Sequence, residues 1–360
     1  MNGKLKIQEI ANQTGLSIST VSRVLAGKAN TSAKAKQQVM AYAQSQGILQ
    51  NLSSGRLMLN NIMVFAPHRA FDVRTDIFYY KVIQGITEAV SRHEVMIRYC
   101  GLSETQSDIS LFLEKITHPQ TEAAIIIGID DPRIHALAAG VHKPSVLVNC
   151  RDKEMSLDSV SPDHQLIGEF SANYLIQQGH RQILTLQCLR RNTMELRLVG
   201  IKEAFASHNM SFDDNQHLIT THGFGAEEAE LAVTHFITAC QDKHQWPTAI
   251  LAGGDYMAVG AVNALNKLKI SVPDSISVMS MDGFNLAEIH DVPLTAVHVP
   301  RDELGAEAIQ LLQRRLLRPD APLSNTLLQG RLVVRSSVKQ VNHKRAMSAA
   351  NKPLDQLYDL

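Results

Sequence analysis

The chain has 360 residues, 44% apolar and 19% charged, and its formal net charge is zero. This composition predicts a globular protein with a sizeable core in two or three folded units. The N-terminus is polar, and no apolar run approaches the roughly 20 residues that a membrane span needs, so we expect a cytoplasmic protein without a secretory signal. The four cysteines are widely separated, which predicts reduced thiols, and no metal-binding or cofactor motif is found.

The zero net charge hides a strong asymmetry along the chain. Residues 1–60 contain seven Lys or Arg and one acid, Glu9, a formal charge of +6, so residues 61–360 carry −6. A positive segment complements the phosphate backbone of nucleic acid, whereas an acidic one is repelled by it. The basic head is therefore the predicted nucleic-acid contact, and the acidic body is not.

Three short helices are predicted in the head, residues 1–47. The first ends at Gly15, and Ser17 is a suitable N-cap for a second helix over residues 18–26. A third helix is predicted over about residues 32–46. Three short helices with a tight turn between the first two are typical of a helix-turn-helix unit.

The second helix has a predicted exposed face of small polar side chains, Ile18 and one arginine, Arg23. Such a face suits a helix that enters the major groove, because Arg can bind guanine through two hydrogen bonds and Ser can bind bases or phosphates. The alternative is a surface helix of a small helical bundle with Arg23 in solvent. Spacing alone leaves both interpretations open.

The amino-acid sequence of this segment favours DNA binding. Residues 7–11 (IQEIA) and 15–25 (GLSISTVSRVL) closely resemble the N-terminal signature of the LacI/GalR family of bacterial repressors. The resemblance implies that Ile18, Ser19 and Arg23 read bases. It implies that the remaining polar side chains of the segment hold phosphates or cap and pack the helix: Ser17, Thr20 and Ser22. Asn30 is also assigned to the DNA contact.

Residues 48–60 would then be a hinge linker. The family usually opens this segment with Tyr-x-Pro-Asn and a short hinge helix, but here the Tyr and Pro are missing. Gly55 lowers helix propensity by about 1 kcal/mol relative to Ala. Leu57 lies where the family places an apolar wedge that opens a base step, so it is assigned to the DNA contact. The alternative is a flexible linker in which Leu57 is incidental.

From Ile62 onward, short apolar runs typical of buried strands alternate with helical segments, and the same strand–helix alternation begins again after residue 161. This alternation predicts two doubly wound parallel-sheet subdomains over residues 61–338, an effector-binding and dimerisation domain resembling the periplasmic binding proteins. The chain is expected to cross between subdomains near 158–163 and 286–300. A cleft between two such subdomains is a natural small-molecule site. The tail, residues 339–360, is expected to be disordered or tucked onto the body.

The resemblance to the repressor family continues through the body and covers about residues 5–337. It rests on five segments: GHRQI at 179–183, RLVG at 197–200, DYMAVG at 255–260, VPDSISV at 272–278 and LVVRSS at 332–337.

By this resemblance, Arg197 and Asp282 would hold the polar groups of a small ligand. Arg binds carboxylates, phosphates or vicinal hydroxyls through paired donors, and Asp accepts from hydroxyls or amines. The other assigned effector residues are Phe224, Phe78 and Asp255. The alternatives are a surface ion pair for the charged residues and core positions for the aromatic ones. One departure is Gly254, which stands where the family usually has a ligand-contacting Asn.

The sequence therefore predicts a transcription repressor whose operator affinity is controlled by a metabolite, with a sugar or sugar derivative as the expected effector. A two-fold homodimer would present two heads to a near-palindromic double-stranded site. No enzyme, cofactor or membrane is expected. The alternative is a cytosolic carbohydrate-binding or carbohydrate-processing protein with an incidental basic head.

Overall fold

The structure is a computed structural model that describes residues 2–26, 31–46, 57, 59–73, 76–104, 106–283 and 293–341. It divides into two compact units, of which the first comprises residues 1–162 and 300–328 and the second comprises residues 163–299 and 329–360. Within the described ranges, no helix is long and apolar enough to cross a membrane. Most of the predicted hinge at 48–60, namely residues 48–56 and 58, and the tail beyond Val341 lie outside the described residues.

The head consists of three helices, as predicted: α1 (Asn2–Thr14), α2 (Ile18–Leu25) and α3 (Ala33–Ser45). Gly15 has a φ of +68°, the left-handed region that glycine enters without strain, and it makes the tight turn that ends α1. The Ser17 hydroxyl caps α2 by accepting a hydrogen bond from the Thr20 N–H at 3.1 Å. Small aliphatic residues form the core of the head: Ile10, Ala11, Val21, Val24, Val39 and Ala43.

The body alternates strands and helices in the predicted manner. In the first unit, the chain forms β1 (Asn61–Pro67), α4 (Ile77–Val90), β2 (Met96–Leu102), α5 (Ile109–Thr117), β3 (Ala123–Ile127), α6 (Pro132–Gly140), β4 (Ser145–Val148) and β5 (Asp158–Pro162). In the second unit, it forms α7 (His164–Gln177), β6 (Ile183–Gln187), α8 (Asn192–Ser207), α9 (Asp214–His217), β7 (Leu218–Thr220), α10 (Ala226–Ala239), β8 (Ala249–Ala252), α11 (Asp255–Lys267), β9 (Ser277–Ser280) and β10 (Thr295–His298). It then adds α12 (Arg301–Leu317) and β11 (Asn325–Leu328) to the first unit and β12 (Arg331–Val333) to the second.

Each unit has one six-stranded sheet. The strand order is β11-β5-β4-β3-β1-β2 in the first unit, with every pair parallel. It is β12-β10-β9-β8-β6-β7 in the second, where only the β12–β10 pair is antiparallel. The inner strands are buried along their whole length, as expected of parallel sheets covered by helices on both faces. The predicted fold class is confirmed.

The C-terminal part of the body differs from the prediction. The chain passes between the units three times, at 162/163, 299/300 and 328/329, rather than twice. The longest helix, α12, was not predicted, although Leu304, Ala308, Leu311 and Leu312 follow a helical period and are buried in the first unit. The adjoining strands β10 and β11 are four residues each, which is too short for a clear alternating pattern.

Within the first unit, the head contacts the α/β part at the amino end of the sheet. The Lys36 ammonium on α3 lies 2.7 Å from the Glu122 carboxylate, which also accepts a hydrogen bond from the Asn60 N–H at 2.8 Å. Leu316 and Leu317, at the end of α12, pack against the head core. Polar and apolar contacts therefore join the head to the body within this unit.

Candidate functional site

The predicted base-reading face of α2 is exposed. Ile18 is 48% exposed, and Ser19, Ser22 and Arg23 are also exposed, whereas Val21 and Val24 on the opposite face are buried. The Ser17 hydroxyl lies 2.8 Å from the hydroxyls of both Ser19 and Thr20, so these three side chains form a hydrogen-bonded group at the start of the helix. One face of α2 therefore anchors the helix, and the other presents one guanidinium and several hydroxyls to the outside.

The two remaining predicted DNA contacts differ in placement. Asn30 lies outside the described residues. Leu57 is only 7% exposed, because it packs in the core of the first unit together with Leu59 and Ile62. A wedge inserted into a base step must be exposed, so this role requires Leu57 to leave that core. The groove contact of Leu57 stays a prediction.

Arg197 and Asp282, the two charged residues assigned to the effector by the family resemblance, contact each other in the second unit. The Arg197 Nη2 donates to the Asp282 Oδ1 at 2.9 Å, and its Nη1 donates to the Gly253 carbonyl oxygen at 2.6 Å. The Nε donates to His164 Nδ1 at 3.1 Å. Arg197 is 2% exposed, and three acceptors hold its guanidinium in one orientation. We call these four residues the arginine cluster.

The topology explains why these residues come together. Gly253 directly follows β8, and Asp282 lies two residues after β9, its parallel neighbour, so both emerge at the carboxyl edge of the sheet. Ligands bind at this edge in open α/β sheets. Helices α7 and α8 pack with backbones in near contact, since a Cβ on Gly168 would lie 2.0 Å from the Arg197 carbonyl oxygen. This close approach places Arg197 beside His164.

His164 is neutral in the folded protein. Burial, and then the neighbouring Arg197 charge, hold the pKa of its imidazole well below the usual 6.5. A neutral imidazole can accept the Arg197 Nε–H bond, whereas an imidazolium has no acceptor. The sequence analysis did not identify His164 as a site residue. The Pro162-Asp163 pair shortly before the predicted helix was a usable signal, because it marks His164 as the first residue of that helix.

We expect the free energy of unfolding to fall as pH drops below 6.5. Unfolded His164 binds a proton near pH 6.5 and folded His164 does not, so each lower pH unit costs about 1.4 kcal/mol until the folded pKa is reached. His164→Asn places a non-titrating oxygen near the Nδ1 position and should flatten this dependence. Urea denaturation of both proteins at pH 7.5, 6.5 and 5.5 measures the effect.

Asp130 also makes the free energy of unfolding depend on pH, and its effect must be separated from that of His164. Burial raises the pKa of its carboxyl to about 6, so its contribution to stability is lost as pH rises from about 4 to 6, the opposite sign to His164. This contribution is the same in wild type and His164→Asn and cancels in their difference. A difference that does not change with pH would show that His164 titrates normally.

The other assigned effector residues have structural partners. Asp255 is buried, and its carboxylate accepts hydrogen bonds from the Ser280 hydroxyl and from the Gly283 N–H at 3.1 Å. Phe224 is half-buried against the core of the second unit. Phe78 is half-buried against the core of the first. Asp255 thus ties together the loops after β8 and β9, and ligand contact by these three stays a prediction.

Metal and disulfide chemistry have no visible basis in the part of the chain that the structure describes. Among those residues, no group of three or more His, Cys, Asp or Glu is placed to hold a metal ion. The four cysteines, Cys100, Cys150, Cys188 and Cys240, are free thiols, and the first three are buried.

Two protein-family profiles match the chain. Residues 6–47 match the profile described as bacterial regulatory proteins of the lacI family, and residues 172–338 match the periplasmic binding protein-like domain. The chain is 24% identical over 342 residues to the HTH-type transcriptional repressor PurR of Vibrio campbellii, covering 93% of this chain and 99% of that repressor. It is 24% identical over 338 residues to the repressor CytR of Escherichia coli, covering 92% and 96%.

Solved structures share the fold. The complex of the transcriptional regulator CelR with cellobiose superposes with a TM-score of 0.68 at 20% identity, over 92% of this chain and 99% of that one. The lac repressor dimer bound to operator and an anti-inducer gives a TM-score of 0.66 at 20% identity, over 92% and 98%. The chain therefore has a lacI-family head at residues 6–47 and a periplasmic binding protein-like domain at residues 172–338, and transcriptional repressors match it over nearly their full length.

Proposed function

We propose that the chain is a transcription repressor whose affinity for an operator is controlled by a small metabolite bound in the second unit. The observation that carries this proposal is the joint presence of an exposed reading face on α2 and a buried arginine cluster at the carboxyl edge of a parallel sheet. The first is suited to the major groove, and the second to a polar small molecule.

On the DNA, Arg23 would bind guanine or phosphate, with Ile18, Ser19 and Ser22 against neighbouring base edges. One α2 helix covers only a few base pairs, so a homodimer with two heads on a near-palindromic site provides the required specificity. The lac repressor among the relatives is a dimer bound to its operator. A DNA-bound regulator of this kind acts in the cytoplasm.

A neutral sugar or sugar derivative is the effector class that the arginine cluster fits. Arg197 and Asp282 carry opposite charges and His164 is neutral, so the cluster offers donors and acceptors without net charge. Relatives have been solved with ribose and with cellobiose. The effector changes operator affinity only to the extent that it binds one conformation better, typically by about 1–3 kcal/mol.

The alternative of a carbohydrate-processing enzyme is less well supported. The residues of the arginine cluster bond to one another, and the cluster contains no Ser, Thr or Cys side chain that a base could activate as a nucleophile. A basic head without a DNA-binding role does not account for an exposed Ile18 beside Arg23 on a capped helix. We therefore infer that the protein is not an enzyme.

Selection of bound duplex sequences by the full-length protein, with and without cell extract, tests the proposal. We expect a near-palindromic consensus whose enrichment changes when small molecules from the extract are present. Failure to prefer any duplex over random competitor under both conditions would refute sequence-specific regulation. A consensus that is identical with and without extract, and with ribose, would refute the effector-controlled part alone.

A further inference from the structure

The side chain of Gln187 is a buried polar group that the fold does not use. It lies at the carboxyl end of β6 and is 0% exposed, and neither its Nε2 nor its Oε1 has a hydrogen-bond partner within the described parts of the chain. Its backbone is paired, because the carbonyl oxygen accepts from the Thr221 N–H at 2.9 Å. Burying an amide without partners lowers stability, so folding alone does not account for a glutamine here.

Gln187 adjoins the arginine cluster. Strands β6 and β8 are parallel neighbours with Leu186 opposite Ala252, so Gln187 and Gly253 follow side by side at the carboxyl edge. A Cβ on Gly253 would lie only 2.7 Å from Gln187 Oε1, which shows how closely the amide approaches this backbone. The Gly253 carbonyl oxygen is the one held by Arg197. The Gln187 amide and the Arg197 guanidinium therefore both approach the backbone of the same residue, Gly253.

The two glycines of this segment allow two polar side chains to lie close to the backbone. A Cβ on Gly254 would lie 2.8 Å from Asp282 Oδ2, just as one on Gly253 would contact Gln187. Any other residue at either position would fill the space where these two side chains approach the backbone. Glycine at positions 253 and 254 thus permits the close approach of Gln187 and Asp282 to this segment.

We propose that Gln187 is an effector-contacting residue that determines which ligands the site accepts. The inference rests on the proposed function and specifies its ligand: a neutral molecule with a hydrogen-bond donor and an acceptor side by side. The amide offers the complementary pair, an N–H donor and a carbonyl acceptor. Adjacent sugar hydroxyls and the edge of a nucleobase both provide this chemistry.

Gln187→Met tests the inference, because Met keeps an unbranched side chain of similar length without an amide. The unliganded variant should melt about 2–4 °C higher, since an unpaired buried amide is removed. Its affinity for a responding ligand should be roughly tenfold lower or worse. Thr185→Val is the matched control on the same strand, where the hydroxyl donates to the His217 carbonyl oxygen at 2.7 Å. It should melt lower and keep its ligand affinity.

Scanning calorimetry and isothermal titration of the full-length proteins with ribose, cytidine and ribose 5-phosphate provide the readout. Binding of ribose and cytidine with equal affinity identifies sugar hydroxyls as the group that Gln187 recognises, and tighter binding of cytidine identifies the base edge. Ribose 5-phosphate should bind more weakly than ribose, and tighter binding would overturn the neutral-ligand inference.

Two results would overturn the role of Gln187 while leaving the proposed function intact. One is equal affinity of wild type and Gln187→Met for the responding probe, and the other is a lower melting temperature of the unliganded variant. If wild type binds none of the three probes, both this inference and the carbohydrate effector are refuted.

Discussion

Arg23→Ala is expected to weaken binding to the selected operator by about 1–3 kcal/mol and to relax sequence preference at one position of each half-site. Arg23 is exposed on α2 beside Ser19 and Ser22, and it is the only cation among the described residues of that helix. If Arg23 reads a base as proposed, its removal eliminates a bidentate interaction that no neighbouring hydroxyl can replace. Fluorescence anisotropy with the consensus duplex and with single-position variants measures both effects.

Lys34→Ala is the matched control, because it removes the same charge from an exposed position on α3. Removing a cation that binds only phosphate weakens binding uniformly across sequences and leaves the preference unchanged. If Arg23→Ala behaves like Lys34→Ala, or binds the consensus as wild type does, α2 does not read bases through Arg23.

Asp282→Asn is expected to abolish the effector response while leaving operator affinity unchanged. The amide oxygen of Asn can still accept from Arg197 Nη2, so the arginine cluster keeps its geometry. If Asp282 binds the effector as proposed, the ligand loses a charged acceptor, which weakens its binding by about 1.5–3 kcal/mol. Asp282→Ala also removes the response, but it leaves a buried cation without its carboxylate, at a cost in stability of about 3–5 kcal/mol. Operator titrations with and without the effector distinguish these results.

Asp274→Asn is the control for charge alone, since this carboxylate lies in the same unit with its side chain 83% exposed. It should respond to the effector as wild type does. A normal response of Asp282→Asn would remove Asp282 from the ligand site, whatever its effect on stability.

Helix α2 and the arginine cluster were the most predictable parts of the molecule. Gly15 and Ser17 are residues whose conformational and capping preferences fix the turn and the start of α2, so local chemistry alone located that helix. Arg197 and Asp282 are 85 residues apart, and only the family resemblance brought them together. The structure then showed the shared carboxyl edge of β8 and β9 that explains their contact.

Other parts could not be predicted because a sequence pattern does not report what a side chain contacts. Leu57 is an apolar residue in a linker, and nothing in its surroundings separates a groove wedge from the core position that it occupies. Gln187 ends an apolar strand, where a polar residue usually marks the exposed boundary of the sheet. Here its side chain is buried, and only the absence of a hydrogen-bond partner for its amide group among the described residues draws attention to it.

The contact of the head with Glu122 has a mechanical consequence. One carboxylate binds both Lys36 on α3 and the backbone of Asn60, the residue immediately before β1. A displacement of the start of that strand must either break the ion pair or carry the head along with it. The spacing between two heads on an operator can thus depend on the position of a single strand end, and Glu122 is the side chain through which that dependence would act.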